Sequence, residues 1–309
     1  MTDAPARELP AVLVVGAASR DIDDEDPRGW RLGGGVSYSA LTVARLGLPT
    51  RAIVGVDAEA ATAHELDLLR DAGVELRLVE LDRGPVFVNI ERPEGRRQVA
   101  HEASDPLPIE VVPDAWRASQ GWLLSPVAAE LPEAWAAAAP DEAFMTVGWQ
   151  GLLRELVPGE DVRRVAPGPN AIVHRADLVG ISQDDVARDV AVDDLVMLLH
   201  HGANLVVTQS DRGGIVAERI GEHARLRRYP PVPAARIVDA TGAGDTFLAA
   251  LAAARIEPRL VGGRIKGGFD LLLAAAAASL VLEDRGLHGV PDRDAVRRRM
   301  SAARKALLS

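Results

Sequence analysis

Apolar residues fall along this chain in two alternating kinds of run. Short continuous stretches such as Ala11–Gly16 (AVLVVG) end in glycine, the form of a strand buried on both faces of a parallel sheet. Longer stretches carry helical spacing: VSYSALTVARLGL stops at Gly47, and EAATAHELDLLRDAGV stops at Gly73. The alternation continues with RAIVGV, AFMTVGW, ADLVGIS and ANLVVTQS as strands and SQDDVARDVAVDDLVMLLHHG as a helical stretch. Strand-like ARIVDA then leads into two alanine-rich helices. Repeated strand–helix units predict an α/β fold with a mostly parallel central sheet covered on both faces.

One region breaks the period. GPVFVNIERPEGRRQVAHE, residues 84–102, alternates like an antiparallel hairpin, with Pro93–Glu94–Gly95 as its turn. Together with the acidic segment 22–32 it predicts a small β lid over a site. Neither repeats nor a low-complexity linker divide the chain, so one domain over 1–309 is expected, with the two lid segments inserted in it.

Composition narrows the function classes. Cysteine is absent, which removes disulfides, thiolate catalysis and Cys-based zinc sites. The 45 acids against 35 bases give a formal net charge of −10, so no global positive field is present for nucleic acid or an acidic membrane. The basic cluster Arg297–Arg298–Arg299 with Arg304 and Lys305 fits a helix C-terminal segment favoured by the dipole. The alanine-rich run Leu271–Leu282 falls short of the roughly 18–20 residues that cross a bilayer, and reads as a buried helix. The start, MTDAPARELP, lacks the form of a signal peptide. A soluble, cytoplasmic protein is expected, with no nucleic-acid or membrane partner.

The chemistry concentrates in DATGAGDTFLAALAAA, Asp239 to Ala254. Small residues leave the backbone N–H groups of Gly242, Ala243 and Gly244 uncovered where a helix begins, and a helix N-terminus favours negative charge. An acid there, Asp245, has two available roles. It can cap the helix, or it can accept a proton from a hydroxyl attacking a phosphorus atom held by the loop.

The string Asp239-Ala240-Thr241-Gly242-Ala243-Gly244-Asp245 resembles the signature of the ribokinase-like (PfkB-type) sugar and nucleoside kinases, with Ala240 in place of the more usual Thr. The resemblance implies a three-layer α/β/α kinase fold, Asp245 as catalytic base, and the Gly242–Gly244 amides as the anion hole. It extends over nearly the whole chain. Gly16 and Asp21 in GAASRD are similar to the family's first strand end, whose acid binds substrate hydroxyls. GGGVSYSALTVARLG is similar to its first glycine signature, with the paired glycines at Gly33 and Gly34. VGVD, through Asp57, and LHGVPDRDAV continue the likeness. VVTQSDRGG is similar to the nucleotide-side element, with Thr208 and Gly213 in place and Ser210 replacing a glycine; Thr241 joins them on the nucleotide side.

Two positions depart from the family pattern. Tyr38 stands where many relatives carry an Asn that contacts the sugar. The Asn-x-x-Glu motif that organises magnesium-bound water falls on Ser182-Gln183-Asp184-Asp185, where Asp185 can serve through water. VGWQGLLREL places Gln150 and Arg154 four residues apart past a strand end, on one helical face, like a Gln-x-x-x-Arg string in inositol kinase-like relatives. Such an Arg could clamp hydroxyls or a phosphate; a solvated first-turn Arg is the alternative.

The implied cofactors are ATP and Mg2+, with activation by K+ left open. The implied partner is a small-molecule acceptor: sugar, polyol (inositol-like) or nucleoside. Val86, Phe87, Val88 and Ile90 in the lid hairpin suit either a homodimer contact or the roof of a monomer. The competing class is a non-catalytic sugar- or nucleotide-sensing protein on the same fold, motivated by Tyr38 and by the altered Ser182–Asp185 motif.

Other catalytic and binding motifs are absent or incomplete. The chain has no Gly-x-x-x-x-Gly-Lys-Ser/Thr loop and no Gly-x-Gly-x-x-Gly after its first strand. His64-Glu65 and His101-Glu102 lack a second His at zinc-protease spacing. His200-His201 is expected to close a helix. Of the five tryptophans, Trp30 and Trp149 lie near enough to the predicted site to touch substrate, and Trp116, Trp122 and Trp135 read as core or partner surface.

Overall fold

The computed structural model describes residues 8–90, 97–187, 189–263, 265 and 268–308. The turn expected at Pro93–Glu94–Gly95 lies outside them. The first part of the chain forms β1 (Val12–Ala17), β2 (Arg20–Ile22), β3 (Trp30–Leu32), α1 (Gly35–Arg45), β4 (Thr50–Val56), α2 (Glu65–Asp71) and β5 (Glu75–Glu80). Then come β6 (Val86–Ile90), β7 (Arg97–Glu102), α3 (Asp114–Arg117), β8 (Gly121–Leu124) and β9 (Phe144–Gly148). β10 (Arg154–Glu155), β11 (Arg163–Arg164), α4 (Ala171–Arg175), β12 (Leu178–Ser182), α5 (Val192–Val196) and β13 (Asn204–Thr208) follow. The chain closes with β14 (Gly214–Ile220), β15 (His223–Tyr229), α6 (Ala243–Ile256), α7 (Phe269–Val281) and α8 (Arg293–Leu308).

The main sheet runs β15-β14-β13-β12-β9-β8-β1-β4-β5. All pairings from β13 to β5 are parallel; β14 and β15 add an antiparallel hairpin at one edge. Alternate residues of β1 serve two cores on opposite faces. Val12 and Val14 pack with α1, α6 and α7, whereas Leu13 and Val15 pack with Trp122, Met145 and the α4–α5 side. This is the expected three-layer α/β/α arrangement. Both alanine-rich helices are buried on nearly all sides, and alanine lets α6 lie close to both α1 and α7. Among the described residues no helix is long and apolar enough to cross a membrane.

The chain leaves β1 toward β4 and β5 on one side and later returns to β8, β9, β12 and β13 on the other. The strand order therefore reverses between β1 and β8. Ligands of open α/β sheets bind in the crevice at the carboxyl ends of strands beside such a point.

The predicted lid is a second sheet, β3-β2-β6-β7, antiparallel except for the β2–β6 pair. Its outer strand β7 is not free. Ala100 N donates to Glu160 O at 2.9 Å and Val162 N donates to Gln98 O at 2.9 Å, so segment 154–164 covers that edge.

Three sequence expectations fail in physical detail. ARIVDA pairs with no strand; its backbone is tied instead by Val238 N donating to Leu282 O at 2.7 Å and Ala235 N to Glu283 Oε1 at 2.6 Å. The helical stretch after β12 shrinks to a 3-10 turn at Gln183–Asp185 and the five-residue α5, because Asp and Ser side chains favour caps and turns over helix interiors. His200 accordingly lies past the end of α5, its Nε2 3.5 Å from Asp177 Oδ1, and closes no helix.

Candidate active site

Two helix N-termini converge at the strand ends. Gly242 caps α6 in the left-handed region, φ 75°, and no side chain bonds the first amides of that helix. Gly34 caps α1 with φ 89°, also without a side-chain bond and with no acid in the first turn. The acid comes from the other helix: a Cβ on Gly35 would stand 2.7 Å from Asp245 Oδ1. Asp245 is thus held between both N-termini, in the first turn of α6. A Cβ on Gly244 would meet nothing within 4 Å, so the loop opens onto free space.

Arg154, Asp185 and Tyr38 lie within electrostatic reach of this carboxylate, and Asp21 within reach of Arg154 and Tyr38. Asp21 in β2 lies over Gly33, where a Cβ would come 2.6 Å from Asp21 Oδ2, and Ser19 Oγ donates to Asp21 Oδ1 at 3.2 Å. Gly34 could bear no Cβ, which would sit 2.6 Å from Ala17 O. Arg154 donates from Nη1 to Val127 O at 3.2 Å and lies 5.8 Å from the Phe87 ring of the lid. Burial lowers the pKa of its guanidinium, opposed by the charges of Asp185, Asp245 and Asp21. Gln150 Nε2 donates to Asp185 Oδ1 at 2.8 Å, and Ser182 N donates to Asp185 Oδ2 at 3.3 Å.

Gln150 and Arg154 do not share a helical face. Residues 149–153 form a 3-10 turn and Arg154 begins β10, so a four-residue spacing does not align them. Tyr38 is buried beneath the loop, its ring so close to Gly242 that a Cβ there would meet Tyr38 Cδ1 at 2.2 Å. On the nucleotide side, Thr208 ends β13, Ser210 takes φ 51°, and Gly213 takes φ 79° where a Cβ would strike Tyr229 O at 2.1 Å. Ser210 therefore keeps the left-handed backbone that the replaced glycine would supply. Thr241 N donates to Asp239 Oδ1 at 2.9 Å. Trp30 and Trp149 are both buried, Trp30 beside the Arg28 guanidinium at 4.6 Å.

Burial pushes the Asp245 carboxyl up to about 6, helped by nearby Asp185 and opposed by Arg154. The arrangement brings together uncovered amides, a carboxylate with a pKa near neutrality and flanking polar groups able to orient hydroxyls. It suits proton removal from a hydroxyl next to a bound anion. The cradle fits phosphate. Among the described residues no three His, Asp or Glu side chains group to hold a metal ion.

Sequence reasoning missed Glu130. Its buried carboxylate accepts Ala17 N at 2.9 Å, Val127 N at 3.0 and 3.2 Å, and Ala128 N at 2.8 Å, tying the loop after β8 to the end of β1. An acid in an otherwise apolar loop, VAAEL, was the available signal. Replacing Glu130 by Ala would strand these amides away from water. We expect a loss of about 2–4 kcal/mol, checked by urea unfolding.

A comparison with family profiles matches residues 170–293 to the pfkB family carbohydrate kinases. A ribokinase of Arabidopsis thaliana is 46% identical over 66 residues, 21% of this chain and 16% of that protein. The match thus spans about a sixth of the curated relative's length. The structure of Arabidopsis thaliana ribokinase with ribose and ATP superposes with a TM-score of 0.65 at 21% identity, covering 94% of this chain and 99% of that one. The fold of the chain is ribokinase-like. Its fold is equally similar to the nucleoside kinase of Methanocaldococcus jannaschii, with a TM-score of 0.68 at 15% identity, covering 96% of this chain and 100% of that one. It is also similar to a pyrophosphate-dependent kinase in the ribokinase family, complexed with a pyrophosphate analog and myo-inositol, with a TM-score of 0.71 at 18% identity over 93% of this chain and 99% of that one.

Proposed function

We propose that this chain is an ATP-dependent kinase that transfers the γ-phosphate to a hydroxyl of a sugar, polyol or nucleoside. The observation that carries this reading is Asp245, a carboxylate held at about pKa 6 between two uncapped helix N-termini. In this reading residues 1–309 act as one kinase domain, with lid segments at about 22–32 and 84–102.

Asp245 takes the proton of the acceptor hydroxyl as its oxygen attacks the γ-phosphorus of ATP, whose bond to the bridging oxygen breaks to release ADP. The amides of Gly242, Ala243 and Gly244 bond the phosphoryl oxygens as their charge grows. Asp21, with Gly33 and Gly34 beside it, orients the acceptor, and Arg154 and Gln150 bound the same space. Tyr38 supports Gly242 from below and leaves acceptor contact to these groups. Thr208, Ser210, Gly213 and Thr241 hold the nucleotide side. Magnesium, when bound, supplies charge neutralisation on the phosphates, with Asp185 orienting its water. The lid excludes bulk water from the transfer. A cytoplasmic location is part of this proposal.

The test is magnesium-dependent ADP release with a panel of sugars, inositols and nucleosides, with and without potassium. A pyrophosphate arm is included because one fold relative is a pyrophosphate-dependent kinase. Release driven by one acceptor class supports the reading. Tight ligand binding with no turnover on any donor would favour a sensing protein.

The pH dependence follows from the same carboxylate. A base must be ionised to act, and Asp245 ionises at about 6. We expect kcat/KM to fall about tenfold per pH unit below that value and to level off above it. A profile flat down to pH 4.5 would remove Asp245 from the proton transfer.

A further inference from the structure

The acid that opens the anion loop is tied to the lid. Asp239 Oδ2 accepts from Arg31 Nη1 at 2.9 Å and from Gly286 N at 3.1 Å, while its Oδ1 accepts from Thr241 N. Arg31 stands in lid strand β3, 208 residues earlier in the chain. Its Nε lies 2.5 Å from Asp23 Oδ2, and Arg285 Nη2 donates to both Asp23 oxygens at 3.0 and 2.7 Å. Because Gly286 follows Arg285, these contacts close a ring through Asp239, Arg31, Asp23 and Arg285. The ring joins three segments: the lid, the anion loop and the turn before α8.

The Asp239 side chain is 10% exposed and that of Arg31 25% exposed. Among the described residues Arg31 is the one basic side chain within ion-pair reach of Asp239. A carboxylate this far from water needs its counter-charge. Asp239 also sets the loop directly. By accepting from Thr241 N it fixes the Ala240–Thr241 peptide, one residue ahead of Gly242, whose left-handed backbone starts α6.

We propose that Arg31 is a positioning residue for phosphoryl transfer: a built-in cation, carried by the lid, that neutralises Asp239 and so sets the anion loop. The loop takes its working geometry only with β3 in place. This inference rests on the kinase reading for its catalytic consequence but not for its structural one.

The test uses the full chain with Arg31→Met, Arg31→Lys and Asp239→Asn. Amide hydrogen exchange of residues 239–246, measured without nucleotide, should speed up in Arg31→Met and slow again when millimolar guanidinium is added. Tetramethylammonium at the same ionic strength should do nothing. In turnover, Arg31→Met should lose on the order of 10–100-fold in kcat, as a loop displaced by about an ångström would. The KM for acceptor should change less than about threefold, guanidinium should restore most of the loss, and Lys should retain part of it. In the Asp239→Asn background the same Met substitution should cost far less, since no charge is left to neutralise.

The proposal is overturned if loop exchange in Arg31→Met equals wild type, or if exchange and activity change without any response to guanidinium. A variant too unstable to measure leaves Arg31→Lys and the double substitution to decide. If exchange behaves as predicted while no acceptor is ever phosphorylated, the kinase reading fails and the loop-setting role stands.

Discussion

Asp245→Asn should lower turnover by on the order of a thousandfold while leaving nucleotide binding within a few-fold of wild type. Removal of a positioned general base typically costs 10²–10⁴-fold. The amides of Gly242 to Gly244 and the strand ends at Thr208 and Gly213 are untouched by an isosteric change, so the donor site persists. The same substitution should not destabilise the fold. The Asp245 pKa is raised from 3.8 to about 6, so the folded state disfavours the ionised form. That penalty is absent below about pH 4, builds up as pH rises to about 6, and is constant above. Asparagine never pays it. With partial access to water taken into account, the variant should be about 1–2 kcal/mol more stable than wild type at pH 7.5, and equal to it near pH 4. Denaturant titrations at the two pH values check the sign. A variant less stable at pH 7.5 would mean that Asp245 is a structural cap after all.

Gly242→Ala is the second large effect, and it acts through backbone and packing together. At φ 75° an L-residue pays about 1 kcal/mol, and here the new Cβ would also stand 2.2 Å from the buried Tyr38 ring. Because neither the ring nor the helix start can yield without moving the other, we expect about 2–4 kcal/mol of lost stability and at least a hundredfold lower kcat. Combining it with Tyr38→Leu should recover the packing share of the stability and leave the backbone share. Gly244→Ala makes the contrast: a Cβ there meets nothing within 4 Å, so stability should hold or rise, while activity falls if, as proposed, that free space holds the donor phosphates. Thermal melts and steady-state kinetics on the three variants separate these components. Equal losses at both glycines would contradict the account of Gly242.

What the sequence disclosed depends on how far apart the cooperating residues lie. Asp245 and its glycines were legible because the loop and helix start are one continuous string, and Gly33 and Gly34 because α1 begins beside them. The lid hairpin showed in its period-two alternation. Arg31 was silent, because it acts on a carboxylate 208 residues away and nothing local marks an arginine for that; Glu130 offered only its place as an acid in the apolar stretch VAAEL, which says nothing of its bond to Ala17 N, 113 residues earlier. ARIVDA misled because β-type residues form a strand only where a ladder partner exists, and here Leu282 and Glu283 take the backbone bonds instead. The edge strand β15, HARLRRY, was missed for the opposite reason, since its polar, mostly exposed residues hide a strand paired along its length with β14. Gln150 and Arg154 were placed correctly at a strand end but in the wrong geometry, a 3-10 turn followed by a strand.

The most direct measurement is phosphorus NMR of the protein incubated with ATP, magnesium and each acceptor of the panel. The account predicts a new phosphomonoester resonance with one acceptor class, growing in step with ADP in wild type and absent in Asp245→Asn. ATP that binds yet stays intact with every acceptor, or that yields only free inorganic phosphate, would contradict it.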